Sequence, residues 1–198
     1  MRTSLPLVAA TVAALALVGC SSDSGTAPTE PASTDATTQS NRNVQLSTTF
    51  SADGGTAVTY DEQLVPDGAG ATVTSQEADG VTTVTLEVTG LQPNRDYGAH
   101  AHVNPCGAEG ADAGPHFQLE QDPVTPSVDP AYANPENEIW LDFTTDAEGA
   151  ASAETTVEWT FPADRRAASV IIHAMPTATA PGEAGTAGDR AACVTVDF

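Results

Sequence analysis

Hydrophobic residues in this chain recur with a period of two, and that property confines it to β-sheet. In the run 81–90, Val84, Leu86 and Val88 alternate with Thr83, Thr85 and Glu87, so the segment has one face to bury and one to leave in water. Similar runs rich in Val, Thr and Ile lie between clusters of Gly, Pro and Asp, and no helical period is sustained anywhere beyond residue 43. Strands are expected at 57–61, 71–77, 81–90, 96–103, 139–145, 151–159, 169–175 and 192–198, with a further one at 44–50. The turns Ala78-Asp79-Gly80 and Asp146-Ala147-Glu148-Gly149 have the composition of hairpin connections. Short strands at regular spacing bury their apolar faces by forming a sandwich or a barrel. Two long loops, 104–138 and 176–191, break the regularity, and long ordered loops in a compact domain are usually functional.

The strands occupy one domain, 43–198, of a size suited to a single core. Residues 1–19 carry one positive charge, Arg2, followed by an apolar run that ends at Leu17-Val18-Gly19-Cys20. This reads as a secretion signal. Its last four residues resemble the bacterial lipobox, in which cleavage precedes the cysteine and the thiol, here Cys20, receives diacylglycerol. Cleavage nearby as a conventional signal peptide is also open, whereas an uncleaved span is disfavoured because the apolar run barely reaches bilayer length. Apart from Cys20, residues 20–42 are mostly Ser, Thr, Ala, Pro, Gly and acidic residues with almost nothing to bury, which is the composition of a disordered tether. Such a tether reaches about 25 Å, enough to hold a domain clear of lipid headgroups. The sequence therefore predicts an exported protein, anchored by lipid to the outer face of a bacterial cell membrane.

Four histidines carry the chemistry. His100 and His102 lie two apart on an expected strand, so both imidazoles share one face. His116 lies in the first long loop and His173 at the end of a separate strand. Any one of them alone reads as an ordinary surface or core residue, but four imidazoles together suit copper or zinc. Charge narrows the partners further: 27 acidic residues face six basic ones, all arginine, for a net charge of −21. Removal of the leader takes Arg2 with it and makes the mature chain one unit more negative. That balance argues against nucleic acid and against electrostatic docking on anionic membranes.

The runs Gly98-Ala99-His100-Ala101-His102, Ala113-Gly114-Pro115-His116-Phe117, Val170-Ile171-Ile172-His173-Ala174 and Gly185-Thr186-Ala187-Gly188-Asp189-Arg190-Ala191-Ala192-Cys193 resemble, in order and content, the copper/zinc superoxide dismutase family. The resemblance implies an all-β fold, an eight-stranded Greek-key sandwich or barrel with two long functional loops. It implies copper held by His100, His102, His116 and His173, with His116 bridging to zinc in the family. Zinc there takes two further histidines and an aspartate from the following loop, but residues 117–138 contain neither His nor Cys. Carboxylates alone would hold zinc weakly. The expectation is therefore a copper-only relative in which the zinc site is absent and His116 does not bridge. Glu136 and Glu138, nearest to the missing ligands, are the candidates to hold the outer nitrogen of His116.

With Cys20 assigned to lipid, Cys106 and Cys193 remain, either as two thiols or as a disulfide of an exported protein. The family joins cysteines at these two places. The implied activity is conversion of superoxide to oxygen and hydrogen peroxide by copper cycling between two oxidation states. Arg190 would attract and orient the anion, and His116 would act as general acid. A copper-binding or carrier lipoprotein without turnover is the alternative: the missing zinc ligands and short second loop favour it, and Arg190, which a carrier does not need, counts against it. The oligomeric state is left open, with a monomer favoured.

Overall fold

A computed structural model describes residues 41–198. The leader, Cys20 and nearly all of the expected tether lie outside the described residues. Nine strands follow in order: β1 (Arg42–Thr49), β2 (Ala57–Thr59), β3 (Gly70–Ala78), β4 (Val81–Thr89), β5 (Asp96–His102), β6 (Phe143–Thr144), β7 (Ala151–Val157), β8 (Ser169–His173) and β9 (Arg190–Thr195). They form two antiparallel sheets, one ordered β1-β3-β4-β7 and the other β2-β9-β8-β5-β6, so the chain crosses repeatedly between layers in Greek-key fashion.

The expected alternation places the core. Val84, Leu86 and Val88 on β4 are buried and meet Ala71, Val73 and the aromatic residues Phe117, Trp159, Phe161 and Phe198 in one cluster. The β3–β4 hairpin closes through Asp79 and Gly80, both at positive φ (53° and 87°), the backbone of a type I′ turn that matches strand twist. Residues 146–149 also form a turn, but not a hairpin. β6 pairs with β5 in one sheet and β7 with β4 in the other, so this turn carries the chain between layers. The strand expected at 139–145 is regular only at Phe143–Thr144, because the preceding residues run along β5 through a single bridge at Trp140. The first strand begins at Arg42, inside the expected tether, since its ladder with β3 continues to the pair Arg42 and Glu77.

Strand β5 is buried on both faces. Tyr97, Ala99 and Ala101 point into the core, while Gly98, His100 and His102 point outward beneath the long loops. On neighbouring β8, Val170 and Ile172 point inward and His173 outward. A smaller cluster of Ala113, Ile171 and Cys193 seals the outer face beside the histidines. There the first loop is tied down by a disulfide between Cys106 and Cys193, whose Cα atoms are 5.7 Å apart.

Candidate metal centre

Each histidine is placed by a different local device. His100 and His102 share the outer face of β5 by parity. His173 ends β8, where the ladder puts it opposite Gly98. His116 comes from the loop and pairs beside His102 on the free edge of β5, through Val103 N–H to the Pro115 carbonyl (3.1 Å) and Phe117 N–H to the Ala101 carbonyl (2.8 Å). Phe117 anchors that return: it is fully buried, its ring 4.9 Å edge-on from Phe161, with the Arg165 guanidinium 5.0 Å from its centroid.

The four rings meet. One nitrogen from each lies within 4.8 Å of the others. His100 Nδ1, His102 Nε2 and His173 Nε2 are buried without any hydrogen-bond partner. Three bare buried imidazole nitrogens converging on one point are costly unless something occupies it. Burial, reinforced by the other imidazoles and Arg190, holds His100 and His102 well below the ordinary histidine pKa and brings His173 down to about 3. They are therefore neutral, the form that binds a metal. A closed set of neutral nitrogen donors fits copper or zinc and does not fit magnesium or calcium.

The other nitrogen of each ring is held. His102 Nδ1 donates to the Gly114 carbonyl at 2.9 Å, and His173 Nδ1 lies 3.4 Å from that of Gly188. His116 Nδ1 lies 2.7 Å from Glu138 Oε2, and the same buried carboxylate accepts Trp140 Nε1–H at 2.6 Å and Gln118 Nε2–H at 2.7 Å. His100 Nε2 lies 2.6 Å from Thr177 Oγ1, which donates at 2.7 Å to Asp142. Of the two acidic candidates, Glu138 meets His116 and Glu136 does not. The side chain of Asn134 accepts the N–H groups of residues 136 and 137, making a turn that leaves Glu136 exposed on its outside. Sequence reasoning missed Thr177, Asp142, Trp140 and Gln118 as supports. Only their proximity in the fold distinguishes them from ordinary loop residues, and the carbonyls of Gly114 and Gly188 leave no trace in the sequence at all.

Arg190 stands opposite His173 across the β8–β9 ladder. Its guanidinium donates to the Gly110 carbonyl at 2.6 Å and to that of Gly114 at 2.7 Å, which fixes two of its nitrogens. Gly114 thus serves Arg190 and His102 together. A cavity of about 1070 Å³ opens over His116, His173, Glu138 and Arg190, between the two long loops.

The sequence matches the family model described as copper/zinc superoxide dismutase (SODC) over residues 69–196. No curated protein matches it closely. The fold is similar to that of the Cu/Zn superoxide dismutase from Brucella abortus, with a TM-score of 0.54 and 19% identity over 77% of this chain and 99% of that one. A doubly substituted SOD-like protein from Bacillus subtilis is more distant, at a TM-score of 0.49 and 18% identity over 64% of this chain and 88% of that one. The family match spans well over half of the sequence, including all four histidines, both disulfide cysteines and Arg190, and the chain belongs to the copper/zinc superoxide dismutase family.

Proposed function

We propose that this chain is a copper-dependent superoxide dismutase that works outside the cytoplasm, tethered to the membrane through Cys20. The observation that carries the reading is the convergence of three bare, buried ring nitrogens with His116, beside an arginine fixed on the same face. Bound copper would supply the one-electron chemistry, accepting an electron from one superoxide and returning it to a second, so that two superoxides and two protons give oxygen and hydrogen peroxide.

The protein's own residues do the rest. The two carbonyls that hold Arg190 leave its remaining N–H groups free to attract and orient a small anion over the histidines. Held through Nδ1 by Glu138, His116 keeps its Nε2 turned to the cluster, where it can hold a proton and deliver it to the departing peroxide. Copper alone is the favoured metal. Residues 117–138 add no imidazole or thiolate, and the outer nitrogen of His116 is engaged by Glu138. Arg190 favours turnover over carriage, because the N–H groups left over from its two carbonyl bonds can serve an anion. The lipobox-like Leu17-Val18-Gly19-Cys20 supports export and anchoring.

The test is to load the protein with copper and zinc together, measure both by elemental analysis, and assay superoxide consumption. One copper per chain, no tightly held zinc, and catalytic consumption are expected. Equimolar tight zinc would overturn the copper-only reading, and one bound copper without consumption would turn the assignment to a carrier.

A further inference from the structure

Two of the four imidazoles have a carboxylate behind them, one bonded directly and the other reached only through a hydroxyl. His116 is bonded directly by Glu138, whose side chain is 1% exposed. His100 is completely buried, but Asp142, the carboxylate nearest it, keeps 35% of its side chain in solvent and stays 3.8 Å from Nε2. The hydroxyl of Thr177 stands between them, 2.6 Å from His100 Nε2 and 2.7 Å from Asp142 Oδ1. Asp142 also accepts the Thr177 backbone N–H through its second oxygen at 2.8 Å, so both donors of Thr177 end on one carboxylate.

A threonine hydroxyl has one proton to give. That proton goes to Asp142, so toward His100 the same oxygen can only accept. The ring must then carry its proton on Nε2 and turn a bare Nδ1 into the cluster, which is the nitrogen found buried without a partner. We propose that Thr177 is a positioning residue for the metal site: a neutral relay that imposes on His100 the orientation and tautomer a carboxylate would impose, while Asp142 stays partly hydrated. Placing Asp142 directly on the ring would bury its charge, and withdrawing an ion from water is unfavourable. His100 is also the one histidine of the four that presents Nδ1 inward. The wrong tautomer would put a proton where the metal must bind, and the relay guards against that. The loop contributing Thr177 also supplies the Gly188 carbonyl near His173, and a side-chain carbon added at Gly185 would lie 3.6 Å from the His116 ring, so loop order and ligand order are linked.

The inference rests on the copper reading, but its first test does not need copper. Long-range ¹H–¹⁵N correlation spectra of the metal-free protein report which nitrogen of His100 is protonated. Nε2–H is expected in the native chain and in Thr177→Ser, and a mixture of tautomers in Thr177→Val. The second test is copper(II) titration against a competing chelator. Thr177→Val should bind copper about 10–100-fold more weakly, as loss of such a support does at other metal sites, whereas Thr177→Ser should stay close to native. His100 protonated on Nδ1 in the native protein would overturn the relay, as would native copper affinity in Thr177→Val. Native protein that binds no copper would refute the functional proposal, while the tautomer measurement would still decide the relay.

Discussion

His173 and Arg190 face each other across β8 and β9 because the ladder slips by one residue between Ile172 and His173. Ile172 pairs with Ala192, but His173 pairs with Arg190, leaving Ala191 as the extra residue. In an unbroken register Arg190 would fall on the same face as Ala192, in the core, because a one-residue shift exchanges the faces of a strand. The bulge therefore delivers the guanidinium to the histidine face, a use bulges commonly have beside functional sites.

If Arg190 guides the anion, Arg190→Ala should lower the second-order rate of superoxide consumption about 10–100-fold, within the range electrostatic steering supplies. Copper affinity should change little, since Gly114 keeps its bond to His102 without the arginine. Raising salt in the native protein should leave the rate flat or lift it modestly. It screens the 27 acidic residues over about 10 Å at 0.1 M while also weakening the pull of Arg190. A steep fall with salt, with no effect of Arg190→Ala, would assign steering to another cation.

Glu138→Gln should weaken copper binding about 10–100-fold, because a carboxylate that accepts three donors is replaced by an amide that must turn an NH₂ toward one of them. Glu136→Gln should bind copper as the native protein does. Competitive titration of both variants checks the pair, and equal affinities would remove Glu138 from the site.

Several parts of this arrangement were legible in the sequence, and each for a reason. The parity of His100 and His102, the alternation along β4 and the Asp79-Gly80 turn are local properties of a strand or turn, so residue order suffices to read them. The β8–β9 bulge, the choice of Glu138 over Glu136, and the Thr177–Asp142 bridge depend on how distant segments dock. The crossing of the 146–149 turn between sheets belongs with these, since the same Asp-Ala-Glu-Gly run would suit a hairpin equally well.

Breaking the disulfide should loosen the first loop and the fold together. It closes a segment 87 residues long, for which chain entropy sets an upper figure of about 4–5 kcal/mol. Cys106→Ala paired with Cys193→Ala should lower the urea midpoint accordingly. An unchanged midpoint would mean that the bridge contributes nothing to stability.

Anchoring through Cys20 predicts that the mature protein carries a diacylglycerol mass on its first residue and sediments with membranes. Cys20→Ser should abolish the added mass and release the domain into the soluble fraction. Native protein that is soluble and unmodified would instead support cleavage as a conventional signal peptide.

The central claim is that the four histidines hold copper for turnover, and superoxide decay followed by stopped flow tests it most directly. Protein loaded with one equivalent of copper should remove superoxide catalytically, at a rate proportional to protein concentration and far above that of the same protein loaded with zinc alone. His173→Ala, which deletes one bare nitrogen of the cluster, should lose most of that rate. Copper bound at one equivalent with superoxide decaying no faster than in buffer would contradict the account.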